Sequence, residues 1–246
     1  MRESPGELGE LDRAFGGVLV RTAWVSAVTH TLSLMADYVE NAIRREQDLQ
    51  RDAYQRLRST EPEVPDEESK LWLEPEYSFY MYTLPRILRG SFVVTAYSAI
   101  EAHLNRLCDF GADKVASRMT YRDITKMGGP IQRALLYMEK VLERPVHPDS
   151  AEWRKIKEGM TVLASLRHAI VHSEGFDRDG KLVQYSVDHP EHIVRKANGD
   201  LVVQGGYLAH VVELTRRLFK YLVSRGADSV APNKGMHPTG HKPAGG

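Results

Sequence analysis

Arg167-His168-Ala169-Ile170-Val171-His172 is the stretch of this chain whose side-chain types and spacing best support chemistry. An imidazole ordinarily titrates near pH ~6.5, so a histidine can take or give a proton in neutral solution. A guanidinium presents fixed N–H donors that grip two oxygens of a phosphate at once. Arg167 and His172 are therefore candidates for anion holding and acid–base catalysis, with His168 in a supporting role. Arg167 and His172 lie five positions apart, which on an ideal helix sets them on different sides of the axis. One copy then gives half a site, and two copies meeting across a two-fold dimer interface would bring both pairs into one cleft.

The same residues admit other readings. His168 and His172 are four positions apart and face the same way, a spacing used for zinc, but Ala169 stands where the familiar metalloprotease pair carries Glu. No metal and no cofactor is expected. A histidine near a helix C-terminus also interacts favourably with the helix dipole, and Arg167 can simply cap or bridge, so a purely structural role fits too. Cys108, the only cysteine, sits among Leu104, Leu107 and Phe110 and reads as a buried structural thiol. Its solitude excludes an internal disulfide and a zinc site of several thiolates, and it fits a reducing compartment.

Helices must position this stretch. Leu8 to Ser59 is rich in Leu, Ala, Arg, Glu and Gln and predicts one long helix or two in tandem, with Gly16-Gly17 as a break. Its far half, Arg44 to Arg58, is charged enough to be a solvated extension or a partner-facing arm. Residues 61–76, with three prolines and a run of acids, read as a linker. Pro85 suits a first helical turn, and Phe92, Val93, Ala96, Ile100, Leu104 and Leu107 repeat at helical spacing behind it. Tyr77, Phe79, Tyr80 and Tyr82 read as the edge of the core. Gly128-Gly129-Pro130 opens a further helix, and Asp149 or Ser150 opens the one that carries Arg167 and His172, with Gly175 as its stop. Leu182 to Val187 and His192 to Val203 carry Val, Ile and Tyr around an Asn198-Gly199 turn, which predicts a small β-hairpin within about 181–204. Tyr207 to Val223 is helical again.

The expected fold class is mainly α: a helical bundle with a small β-hairpin inserted before the last long helix. The expected organisation is an N-terminal helical segment over 1–60 packing on the body, the linker over 61–76, a helical domain over 77–226 and a disordered tail over 227–246. His237 and His241 in that tail could hold metal weakly, but its composition points to no built site.

The motif resembles that of the HEPN-domain proteins, prokaryotic helical proteins whose signature is Arg, a polar residue, a few further residues and His. Here Arg167 is the Arg, His168 the polar follower and His172 the terminal His. The segment Tyr97-Ser98-Ala99-Ile100-Glu101-Ala102-His103-Leu104-Asn105 looks like the helix that packs against the motif helix in that family. The likeness covers roughly residues 85 to 225. Two departures stand out: the follower is His where Asn is commoner, and Glu174 stands where one subgroup carries a regulatory Tyr. The resemblance implies metal-independent RNA cleavage by a homodimer, in which a 2′-hydroxyl attacks the adjacent phosphate. It further implies a toxin or anti-phage role, with an antitoxin or other partner protein. Glu101 would then support the site by orienting a histidine or by pairing with Arg167. The alternative is a non-catalytic dimerisation or interaction module on the same bundle.

Composition narrows the setting. Lys plus Arg and Asp plus Glu both count 33, so any basic surface for RNA has to be local. Val18 to Ala36, the most apolar window, is broken by Arg21, Thr22, His30 and Thr31, and Met1 to Glu10 lacks the apolar core of a secretory signal. We therefore expect a cytoplasmic protein with no membrane partner.

Overall fold

Val25, Val28, Leu32, Ala36 and Ile43 recur at three- and four-residue steps or their sum, and they are the buried stripe of the first helix, α1 (Val18–Thr60). The computed structural model describes residues 18–60, 75–114, 116–124, 128–144 and 147–223. The expected Gly16-Gly17 break, the linker residues 61–74 and the tail from 227 onward lie outside those residues. Pro75 and Glu76, expected as the end of the linker, are already helical.

Beyond Ile43 no described side chain of α1 is buried, yet this half is not free of the body. Pro85 explains one of its contacts. It lies in α2 (Leu84–Lys114), immediately after a π-helical turn over Phe79–Thr83. Proline has no N–H to give the carbonyl four residues back, and its ring crowds that carbonyl. The chain answers by widening, with the Leu84 N–H reaching back to Phe79 O. Met81 O, the carbonyl that Pro85 leaves unused, accepts instead from Gln47 Nε2 of α1 at 3.3 Å. Tyr54 packs on Tyr77, ring centroids 5.7 Å apart. The aromatics of this turn were expected at the core edge, but Phe79 and Tyr82 are exposed, Tyr82 by 72%. Among the described residues, neither ring is covered by a further element.

The remaining helices are α3 (Pro130–Lys140), α4 (Ala151–His172), α5 (Val183–Asp188) and α6 (Gly205–Val223). Two short strands, β1 (Ile193–Arg195) and β2 (Leu201–Val203), pair antiparallel with Ile193 opposite Val203. The fold is thus mainly helical with a small hairpin before the last long helix, as the sequence predicts. α2 is the central element, touching α1, α3, α4 and α6. Its face is lined by Phe92, Val93, Ala96, Ile100 and Leu104, all buried. Burying each of these side chains other than Ala96 contributes about 1.5–3 kcal/mol before chain entropy is counted. Arg89 of α2 clamps α1 to the hairpin: its Nε and Nη2 donate to the Glu40 carboxylate at 2.7 and 2.9 Å, and its Nη1 donates to Val203 O at 3.4 Å.

One sequence expectation is overturned. Leu182 to Val187 is not a strand but leads into the short helix α5. A half-buried strand needs one covered face, and here only Leu182 is buried while Val183 and Val187 are 42% and 69% exposed. Gln184 Nε2 donates to Asp188 Oδ1 at 2.8 Å across the helical turn. The hairpin is confined to the two strands about Asn198-Gly199, where Asn198 Oδ1 accepts the Asp200 N–H at 3.0 Å and Gly199 takes φ +89°.

Candidate functional site

Ser150 begins the helix that carries the motif, its side chain accepting the Trp153 N–H at 3.1 Å, with Glu152 in the first turn. The stripe Trp153, Ile156, Met160, Leu163, Leu166 and Ala169 is buried, which fixes the rotation of α4 and turns Arg167, His168 and His172 away from the core. The helix ends as expected at Gly175, which takes φ +87° and donates its N–H to Ala169 O at 2.9 Å. Arg86 of α2 holds this end, donating Nη2 to Glu174 O at 2.6 Å and pairing with Asp200 at 2.8 Å. His172 is therefore the last residue of a helix pinned at both ends.

Arg167 and His172, expected on different sides of the helix, touch within one chain: Arg167 Nη1 lies 3.2 Å from His172 Nε2. The long guanidinium side chain crosses the angular gap that backbone geometry leaves. A guanidinium can only donate, so in a hydrogen bond between them Nε2 is the acceptor. The His168 and His172 rings lie 4.9 Å apart. His168 and His172 are exposed and Arg167 is half-buried.

Arg167 and His168 line a cleft of about 620 Å³, with His172 just outside the lining. The cleft lies between α4, the start of α3 at Gly128-Gly129-Pro130, and the loop Phe176–Lys181. Tyr97 of α2 also lines it, and the Arg167 guanidinium sits 5.6 Å from the centre of its ring. Burial, helped by the charge of Glu101, raises the Tyr97 phenol above its ordinary pKa, while Arg167 and the Ile131 backbone act the other way. Tyr97 thus stays a neutral platform under the guanidinium.

The charges of the cleft are unevenly spent. Asp179 pairs with Lys181 at 2.9 Å, and this holds its carboxyl below the usual range. Asp177 is buried, accepting the Leu182 N–H at 3.2 Å and facing Arg195 at 3.4 Å. Among the described residues, Arg167 and Arg178 have no carboxylate within ion-pair distance, and Arg167 Nε is buried with no hydrogen-bond partner. A buried donor left unmet costs about 1–3 kcal/mol, so an anion that met it would be bound with that gain. The N-terminus of α3 on the facing wall adds its partial positive charge.

Glu101 is not brought to the histidines: it does not line the cleft and forms no ion pair with Arg167. It acts on Tyr97, one helical turn before it. Cys108 is buried as expected, its thiol pushed up to about 12 chiefly by that burial. His103 is likewise structural, set edge-on against Trp24 and Phe219 with ring centroids 5.4 and 6.1 Å away. No protein-family model, no curated protein and no solved structure matches the chain. What the cleft can do is therefore judged from its own residues.

A second group of side chains escaped the sequence reading altogether: Tyr185, His189, Glu191, His192 and His210 gather where α5 meets β1 and α6. The signal available was the run His189-Pro190-Glu191-His192, whose side chains only a tight corner brings together.

Proposed function

We propose that the chain is a metal-independent RNA endonuclease of the HEPN type, acting as a homodimer in a toxin or anti-phage setting. The observation that carries this reading is the contact between Arg167 and His172 beside an open cleft with unpaired cationic donors. A phosphate entering the cleft would draw the guanidinium to its oxygens, and that exchange would release His172 Nε2 to act as a base. The base takes the proton of a ribose 2′-hydroxyl, and the 2′-oxygen forms a bond to the adjacent phosphorus. The bond from phosphorus to the 5′-oxygen breaks, and a second imidazole protonates that leaving oxygen. On this reading His168, or a histidine of a second copy, serves as that acid. The products are a cyclic phosphate and a 5′-hydroxyl.

Support for RNA comes from the lining: the cleft is open, and Arg167, His168, Arg178 and Lys181 bring basic groups to it from α4 and the loop that follows. A non-catalytic interaction module has its own supporting observation. A groove on the other side of α4, lined by Ile87, Val94 and Ile170, leaves Ile87 52% exposed. The two readings separate on His172→Ala in the full chain. A nuclease loses cleavage of structured, tRNA-like RNA while remaining folded and dimeric by circular dichroism and light scattering. Unchanged cleavage by that variant rejects the catalytic assignment.

A further inference from the structure

His189, Glu191 and His192 lie in the corner between α5 and β1, and backbone bonds shape that corner before any side chain is considered. The His189 N–H donates to Tyr185 O at 2.9 Å, and His189 O accepts from both His192 N at 3.0 Å and Ile193 N at 3.2 Å. Pro190 fixes the backbone between them. Gly206 of α6 lets the corner dock, because a Cβ there would lie 2.7 Å from Glu191 O.

This fold of the chain puts two imidazole nitrogens around one carboxylate oxygen. Glu191 Oε1 is 3.5 Å from His189 Nδ1 and 3.5 Å from His192 Nε2. One ligand atom from each of the three residues lies within 4.8 Å of the others. Hydrogen bonds between such groups prefer about 2.7–3.2 Å. Ligands about 2.0–2.2 Å from a tetrahedral cation sit roughly 3.3–3.6 Å from one another, which matches the carboxylate-to-imidazole spacings here.

The other ring nitrogen of His192 supplies a second observation. His192 Nδ1 is 2.8 Å from the Tyr185 hydroxyl. That contact fixes the orientation of the ring and presents Nε2 toward Glu191. Metal-bound histidines are generally held in this way through their second nitrogen. The His210 ring packs 4.5 Å from that of His192 and closes the inner side. His189 and Glu191 leave the outer side open to solvent.

We propose that His189, Glu191 and His192 form a binding site for a zinc-like divalent cation, with Tyr185 positioning His192 and solvent completing the coordination. Two imidazoles and one carboxylate select zinc, cobalt or nickel over magnesium or calcium, whose preferred ligands are all oxygen. The site lies apart from the Arg167 cleft and shares no residue with its lining. It ties α5 and β1 into one corner against α6, so its role is structural or regulatory and does not depend on the nuclease reading.

The test is zinc loading of the full chain, with metal content measured after desalting and the ligand field read from cobalt(II) absorption. Wild type and a His237→Ala/His241→Ala variant are expected to retain one zinc per chain and to give the intense visible bands of low-symmetry cobalt(II). His189→Ala and Glu191→Gln change exposed or half-buried side chains and should fold normally by circular dichroism. Each is expected to lose that zinc and those bands, and His192→Ala should lose them as well. Retention of the zinc by His189→Ala and Glu191→Gln, its loss only when His237 and His241 are removed, or no retention by wild type, would overturn the proposal.

Discussion

The two histidine clusters of this chain differ in what stands beside the imidazoles. At the end of α4, His172 faces the Arg167 guanidinium, which has no carboxylate within ion-pair distance among the described residues, and His168 packs on His172. At the α5–β1 corner, His189 and His192 face a carboxylate, and a tyrosine holds the inner ring. On the two proposals the same side chain serves opposite ligands: beside Arg167 an imidazole would handle protons around a bound anion, whereas beside Glu191 its lone pair would hold a cation. Count and spacing of histidines do not separate these cases. The sign of the neighbouring charge does.

That contrast is open to attack from either side. The largest effect is expected for Arg167→Ala, which should lower RNA cleavage at least about a hundredfold, as loss of a group that stabilises developing charge does. Zinc retention should be unchanged, and Arg167→Lys should restore little because an ammonium cannot make the two-point grip. Cleavage rates and zinc content measured on the same preparations would check this, and a variant that lost both would dissolve the distinction. From the other side, Tyr185→Phe removes only the group that orients His192. It should weaken zinc binding by about 10–100-fold and leave cleavage as it was. Competition titration against a chelating dye measures the first and an RNA gel the second.

Smaller effects separate the scaffold from the two sites. Ser150→Ala removes the cap at the start of α4 and should cost about 1 kcal/mol in denaturant unfolding, with both activities intact below the transition. His103 gives the smallest effect, and its sign is fixed. Burial, then the charge of Arg106, lowers its folded pKa below the ordinary value. The fold therefore holds fewer protons there than the unfolded chain does. Its contribution is fully present above pH ~6.5 and is lost as pH falls through the folded value. Urea midpoints measured from neutral to mildly acid pH should fall less steeply in His103→Phe than in wild type.

The fold was largely legible because its signals are local. Ser150, Gly175 and Gly128-Gly129-Pro130 mark helix ends by their own backbone preferences, and the stripe from Val25 to Ile43 carries its period openly. Leu182 to Val187 misled because its β-branched residues suit a strand only where they are covered, and Val183 and Val187 are exposed. The π-turn ahead of Pro85 was out of reach, since its spare carbonyl is met by Gln47, 34 residues away. In the site, residue types were readable and distances were not. Ideal helix geometry separates Arg167 from His172, but side-chain length joins them. Glu101 has the right charge on the right helix yet spends it on Tyr97. The corner cluster is invisible without the knowledge that α5 is a helix, because that turn brings Tyr185 back onto His192.

The most direct measurement of the central claim is cleavage of a structured RNA by wild type and by His172→Ala in excess chelator, with the chemical ends of the products mapped. The account predicts that wild type cuts undiminished by the chelator and leaves cyclic phosphate and 5′-hydroxyl ends, while His172→Ala does not cut. Cleavage that the chelator abolishes, products with 5′-phosphate ends, or equal cutting by the two proteins would contradict it.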